Sequence, residues 1–179
     1  SVIGFESSVN ASGINLSIML NQIKNLSKLF RHSLNVIFMD GSFPLAHFDY
    51  NFSRNKLRLG NLTFRKQPVN FTGYLLYRGV SMRGGATKTL YVDRINSTNG
   101  ICVKDEEISS INEISNDCSS ANEFRVECDD TSQNSYICAY NSTINKYKVQ
   151  GLNHSGIIQI DYAKPSSGLG SSPSSGGSS

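Results

Sequence analysis

The amino-acid sequence predicts a mostly β protein, either a β-sandwich or two small packed β modules, with a flexible Ser/Gly-rich C-terminal tail. Three observations predict it. Short segments of alternating apolar and polar residues recur at the spacing typical of all-β domains. Turn signals such as Asp40-Gly41 and Arg83-Gly84-Gly85 separate them. Residues 165–179 read PSSGLGSSPSSGGSS, with eight Ser and four Gly, a composition that buries too little to offset ordering entropy.

The elements follow in order. Ile14, Leu16 and Ile18 alternate as in a strand, while Leu16, Met19, Leu20, Ile23, Leu26 and Phe30 keep the spacing of an amphipathic helix. A strand is preferred for the beginning of this stretch and the rest stays open. Residues 34–39 and 43–50 form a hairpin about Asp40-Gly41, since Asp-Gly between apolar runs is a strong short-range turn signal. Residues 56–59 and 61–65 read as strand, bent at Gly60. Residues 73–80 (GYLLYRGV) and 87–95 (TKTLYVDRI) follow, then 101–104, 124–128, 136–140, 147–152 and 157–162, about eleven strands in all. Residues 108–114 suit one short helix with Ile108 and Ile111 inward, and Ile114 as a third inward candidate.

Charge divides the chain. Residues 1–95 hold 12 Lys/Arg and four Asp/Glu, whereas residues 96–165 hold five and ten, which together give the net charge of +3. The expected organisation is therefore a basic N-terminal module over 1–95, an acidic disulfide-bearing module over 96–164, and a linker or stalk over 165–179. The opposed halves suit head-to-tail contacts between neighbouring copies.

Location is the strongest functional signal. The sequon N-x-S/T occurs nine times, at Asn10, Asn15, Asn25, Asn51, Asn61, Asn70, Asn96, Asn141 and Asn153. With 18 Asn and about a fifth of the chain Ser or Thr, chance gives about four matches to this glycan-acceptor motif. In five of the nine the middle residue is a large apolar one: Leu16, Leu26, Phe52, Leu62 and Phe71. On a strand such a triplet buries its centre and presents Asn and Ser/Thr to solvent. All four cysteines, Cys102, Cys118, Cys128 and Cys138, lie in one 37-residue stretch. An even, clustered count in a chain that looks secreted reads as two disulfides, with Cys102–Cys118 and Cys128–Cys138 favoured among the three pairings. No C-x-x-C occurs, so the spacing fits no zinc ribbon or finger. Ser1 opens on ordinary residues without a leader pattern, which reads as a matured or excised chain, and no apolar run reaches the ~18 residues of a membrane span.

Catalytic signals are weak. Asp105, Glu106, Glu107, Asp129 and Asp130 are weak calcium candidates in an acidic stretch, without the D-x-D-x-D-G order of an EF-hand loop. His32, His47 and His154 are scattered. His47 and Asp49 share a strand face, but no nucleophile is marked, and His154 reads as a turn residue. Lys56, Arg58, Arg65 and Lys66 interleave with Tyr50, Phe52 and Phe64, the mix that a single-stranded nucleic acid would want. The secretion signals oppose that partner and favour acidic glycans or a neighbouring acidic half.

The run AHFDYNFSRNKLRLGNLTFRKQ, with GYLLYRGV, TKTLYVDRI, NGICVKDEEISSINEIS and YKVQGLNHSGI, resembles a β-rich module of large archaeal cell-surface proteins with immunoglobulin-like repeats. The resemblance spans residues 46–158. It implies a structural or adhesive role and brings no catalytic residue and no cofactor. The expected function is thus a non-enzymatic extracellular subunit of a glycosylated surface layer, stalk or filament. Its partners would be copies of itself or other surface proteins, together with covalent glycans; nucleic acid is not expected. One filament version has residues 1–5 pairing into the next subunit's sheet. An adhesin or glycan-binding module is the alternative, and a secreted hydrolase the remaining one.

Overall fold

A computed structural model describes residues 3–4, 11–20, 33–53, 56–68, 71–80, 82, 84–154 and 156–162. Asn10, Asn25, Asn70, His32, the helical alternative beyond Leu20 and the tail lie outside the described residues.

The strands are β1 (Ile3–Gly4), β2 (Leu16–Leu20), β3 (Ser33–Asp40), β4 (Phe43–Asn51), β5 (Leu57–Arg58), β6 (Thr63–Lys66), β7 (Tyr74–Arg78), β8 (Lys88–Asp93), β9 (Gly100–Lys104), β10 (Glu123–Glu127), β11 (Asp129–Gln133), β12 (Tyr136–Asn141), β13 (Lys146–Leu152) and β14 (Gly156–Ile160). Two antiparallel sheets pack face to face. One has seven strands in the order β11-β12-β13-β8-β4-β3-β2, the other five in the order β10-β9-β14-β7-β6. A small parallel pair, β1-β5, stands beside them. Residues 1–5 thus include a segment, Ile3–Gly4, paired within its own chain.

Both sheets take strands from both halves of the chain. The boundary expected near residue 95 is where the chain leaves the seven-stranded sheet after β8 for β9 of the five-stranded one, so it does not separate two sheets. The inner faces meet in one core, with Val36, Phe38, Phe48, Phe64, Leu75, Tyr77, Leu90, Val92 and Val149 buried. Phe64 stacks on Tyr77 with centroids 4.5 Å apart, a geometry that adds to simple burial.

The expected helix over 108–114 is a 3-10 turn, Ile111–Glu113. Ser110 accepts from the Asn112 N–H, and the Glu113 carboxylate accepts from the Ser110 N–H at 2.9 Å, a reciprocal capping box. Its surroundings bury Ile108 and Ile114 against Leu76, Cys102 and Cys118, a second apolar cluster on the outer face of the five-stranded sheet. β9 is consequently buried on both faces. Gly60 lies in another 3-10 turn, Leu59–Asn61, rather than in a bent strand. Residues 129–134, which fall between the strands expected over 124–128 and 136–140, are mostly β11. Only Asn134 and Ser135 turn, both at positive φ, as a two-residue hairpin matched to strand twist requires.

The strand directions define two poles. The Gly41 pole gathers the β3–β4 turn, the β12–β13 turn and the crossing from β8 to β9. The Lys88 pole gathers the ends of β4, β7, β9 and β13 and the start of β8.

Candidate functional site

The perturbed polar groups concentrate at the Lys88 pole. Lys88 opens β8 opposite Leu152 and shares its inward face with Leu90 and Val92. Its side chain is 1% exposed. Nζ donates to the Val80 carbonyl at 3.1 Å and stands 4.9 Å from the Tyr77 ring centroid. Burial pushes this amine from 10.5 down to about 8, against the fields of Asp105 and Glu107. The Tyr77 hydroxyl is buried without a hydrogen-bond partner among the described residues. Burial, and then Tyr50, holds it well above the ordinary phenol range.

Asp105 follows β9 and ties the turn after β13 to this pole. It accepts from the Asn153 N–H at 3.1 Å, the His154 N–H at 2.5 Å and the Tyr136 hydroxyl at 3.1 Å. Tyr136→Phe removes one bond to a charged, part-buried acceptor, and we expect it to cost about 1–2 kcal/mol, measured by urea unfolding. Glu107 meets Arg78 Nε at 3.3 Å and His154 Nδ1 at 3.4 Å, so His154 is a hydrogen-bonding turn residue. Lys104 donates to the Glu113 carbonyl at 3.0 Å and meets Glu106 at 3.3 Å and Glu123 at 3.5 Å.

The calcium candidates are therefore divided, and four of the five are engaged. Asp105, Glu106 and Glu107 hold protein donors at this pole. Asp129 accepts from Thr131 and Gln133 on β11, and Asp130, at φ 64°, is exposed. Among the described residues the one His/Cys/Asp/Glu group close enough to hold a metal is Cys102, Cys118 and Glu123. Its two sulfurs are already joined to each other, which removes the thiolates a metal would need.

The remaining sequence candidates disperse. His47 Nδ1 lies 3.3 Å from the Tyr91 hydroxyl, while Asp49 accepts from Asn35 at 3.1 Å. Burial, helped by Lys148 and opposed by Asp49, lowers the His47 imidazole below its usual range. In the basic group, Phe52 and Phe64 are buried and so present no face for stacking a base. Lys66 is drawn to Asp40 and Asp93 at the Gly41 pole, where Lys146 and Gln67 also meet Asp93. Burial works against the Asp93 carboxylate, but its bond from Lys146 and the other donors outweigh that and hold it below the usual carboxylate range. This network latches edge strand β6 to β3, β8 and β13.

Disulfides join Cys102 to Cys118 and Cys128 to Cys138, with Cα atoms 5.8 Å and 4.4 Å apart. These are the pairings favoured from spacing, and they mark an oxidising environment. Every described sequon acceptor is exposed: Asn15, Asn51, Asn61, Asn96, Asn141 and Asn153. They collect at the poles. Asn15, Asn96 and Asn141 stand at the Gly41 pole, and Asn51, Asn61 and Asn153 at the Lys88 pole. Phe52 and Leu62 at the sequon centres are buried and Leu16 is half-buried. Phe71 departs from that pattern at 55% exposure. It borders a groove of about 270 Å³ with Arg65, Tyr74, Ser110 and Asn112. Sequence reading missed this groove, because it joins the β6–β7 hairpin to the capped turn across some 40 residues of chain, and the alternation that placed Phe71 inward gave no local signal of it.

No helix among the described residues is long and apolar enough to cross a membrane. No protein-family model matches the chain, and no curated protein or solved structure matches it either.

Proposed function

We propose that this chain is an extracellular, N-glycosylated structural unit of a cell surface, a building block of a surface layer, stalk or filament. The observation that carries the reading is the placement of the sequons. Each of the six described acceptors is solvent-facing, and they divide three and three between the poles. Turns favour Asn by themselves, so it is the complete N-x-S/T triplet that separates glycan acceptors from turn chemistry. Two disulfides support the same reading. The engagement of Asp105, Glu106 and Glu107 by their own chain suits a scaffold rather than a catalyst.

The test is intact mass of native material under non-reducing conditions, before and after N-glycan release, with electron microscopy of the same sample. We expect a mass well above 19.6 kDa, no free thiol, and ordered assemblies. Monomers at bare-chain mass would remove the reading. The Phe71 groove favours one further reading, an adhesin, because an exposed aromatic face beside Arg, Ser and Asn side chains suits a sugar ring. Saturable binding on a glycan array that Phe71→Ala abolishes would establish it, and an array without saturable binding would end it.

A further inference from the structure

Among the described residues, four strands lie at the edges of the two large sheets: β6 and β10 in one, β11 and β2 in the other. An edge offers unpaired N–H and C=O groups to any passing strand, and proteins guard edges with charge, Pro or bulges. Three of these edges are guarded. β6 carries Arg65 and Lys66, with Pro68 just beyond. β10 carries Glu123, Arg125 and Glu127. β11 opens with Asp129 and Asp130 and breaks register before Ser132.

β2 has none of these devices. Residues 11–20 contain no Asp, Glu, Lys, Arg or Pro, and β2 pairs with β3 in unbroken register. The Gly41 N–H donates to the Asn15 carbonyl at 2.8 Å. By the alternation of antiparallel ladders, Ser17 and Met19 also turn their backbone groups to β3, and Leu16, Ile18 and Leu20 turn theirs outward. Leu16 and Ile18 pack on the core yet are only half-buried. Among the described residues, the one device beside this edge is the sequon Asn15-Leu16-Ser17, whose acceptor is exposed just before the strand.

We infer that the β2 edge is a docking surface for the β2 edge of a second copy of this chain, and that an N-glycan on Asn15 holds it closed. This rests on the glycosylation proposed above. A second copy is the partner that the charge pattern selects. An uncharged strand meets its twin without like-charge repulsion, whereas β6 would set Arg65 and Lys66 against themselves and β11 would do so with Asp129 and Asp130. Antiparallel pairing about a two-fold axis satisfies the outward groups of both copies and buries Leu16 and Ile18 further. A glycan at the strand's first turn is bulky and hydrated, and it obstructs that approach without placing a charge in the strand.

The full chain from a glycosylating host is compared with Asn15→Gln, Ser17→Ala and Asn15→Gln/Met19→Lys by light scattering across a wide concentration range. Occupancy of Asn15 is read by glycopeptide mass. Asn15→Gln and Ser17→Ala each delete the sequon, and both are expected to dimerise at least about tenfold more tightly than the glycosylated chain, or about 1.4 kcal/mol. Met19 is half-buried and paired with Ile37 on the outer face, so Met19→Lys adds a guarding charge and should return the protein to monomer with unchanged circular dichroism. A chain glycosylated at Asn15 whose sequon variants stay monomeric overturns the inference, as does a dimer indifferent to Met19→Lys. If Asn15 carries no sugar, the glycosylation reading fails there; the unmodified chain must then dimerise by itself, and a monomer overturns the edge as well.

Discussion

Replacing Cys102 and Cys118 together by Ala is expected to cost about 3–5 kcal/mol, and replacing Cys128 and Cys138 about 2–3 kcal/mol. Chain entropy alone does not separate them. Sequence separations of 16 and 10 give about 3.1 and 2.7 kcal/mol in the loop-closure treatment. What separates them is the structure each bond supports. Cys128–Cys138 spans the corner into β11, which is already hydrogen-bonded to β12. Cys102–Cys118 pins residues 105–122 over the five-stranded sheet, where regular structure amounts to one 3-10 turn and Ile108 and Ile114 cover Leu76. Both of its sulfurs are buried, so truncation also leaves a cavity. Urea unfolding gives the two losses. Limited proteolysis should cut within 105–122 in the first variant only, and equal losses with no new cleavage would refute the assignment.

The elements differ in how far local pattern announced them. The hairpin of β3 and β4 was legible because Asp40-Gly41 stands between two apolar runs and its turn chemistry is local. β11 was not legible. Its residues, DDTSQ, are almost all exposed, so no inward face imposes alternation, and its pairing with β12 alone makes it a strand. Of the inward residues expected for a helix over 108–114, Ile108 and the third candidate Ile114 are buried, whereas Ile111 is only partly buried against the same cluster. Their burial comes from tertiary packing under a disulfide, which needs no helical period.

The same division holds for the polar groups. Asp105 is conspicuous in sequence as one of a run of carboxylates, yet its role as anchor of the Asn153-His154 turn depends on a contact across 48 residues. Lys88 did carry a local signal, since Lys88, Leu90 and Val92 fall on one strand face. A lysine on a core face is an anomaly that alternation exposes. The Asn-out, apolar-in sequon geometry was legible wherever it rested on period two or a tight turn. It failed at Phe71, whose surroundings belong to a distant loop.

Lys88→Met should stabilise the protein at pH 7 and destabilise it at about pH 10. The folded state holds this amine at about 8 against 10.5 in a free side chain. Between those values the unfolded chain binds the extra proton, so Lys88 makes stability rise with pH, and below about 8 its full penalty is present. A displacement of that size corresponds to about 3 kcal/mol at 1.4 kcal/mol per unit. Met matches the volume and the straight stem, but it leaves the Val80 carbonyl without the donor at 3.1 Å, a loss of about 1–2 kcal/mol. The net gain at pH 7 is therefore about 1–2 kcal/mol. Near pH 10 the wild-type amine is neutral, keeps its hydrogen bond and exacts little penalty, so the sign reverses. Urea melts of both proteins at the two pH values measure this directly, because every other ionisation cancels in the difference between them. Parallel pH profiles would mean that Lys88 reaches solvent at a cost far smaller than its 1% exposure implies. A crossing would mean that the Lys88 pole keeps a lysine which an apolar residue would outperform at neutral pH. Its retained role is then to hold Val80 and the chain leading into β8 in place through the one bond an apolar side chain cannot make.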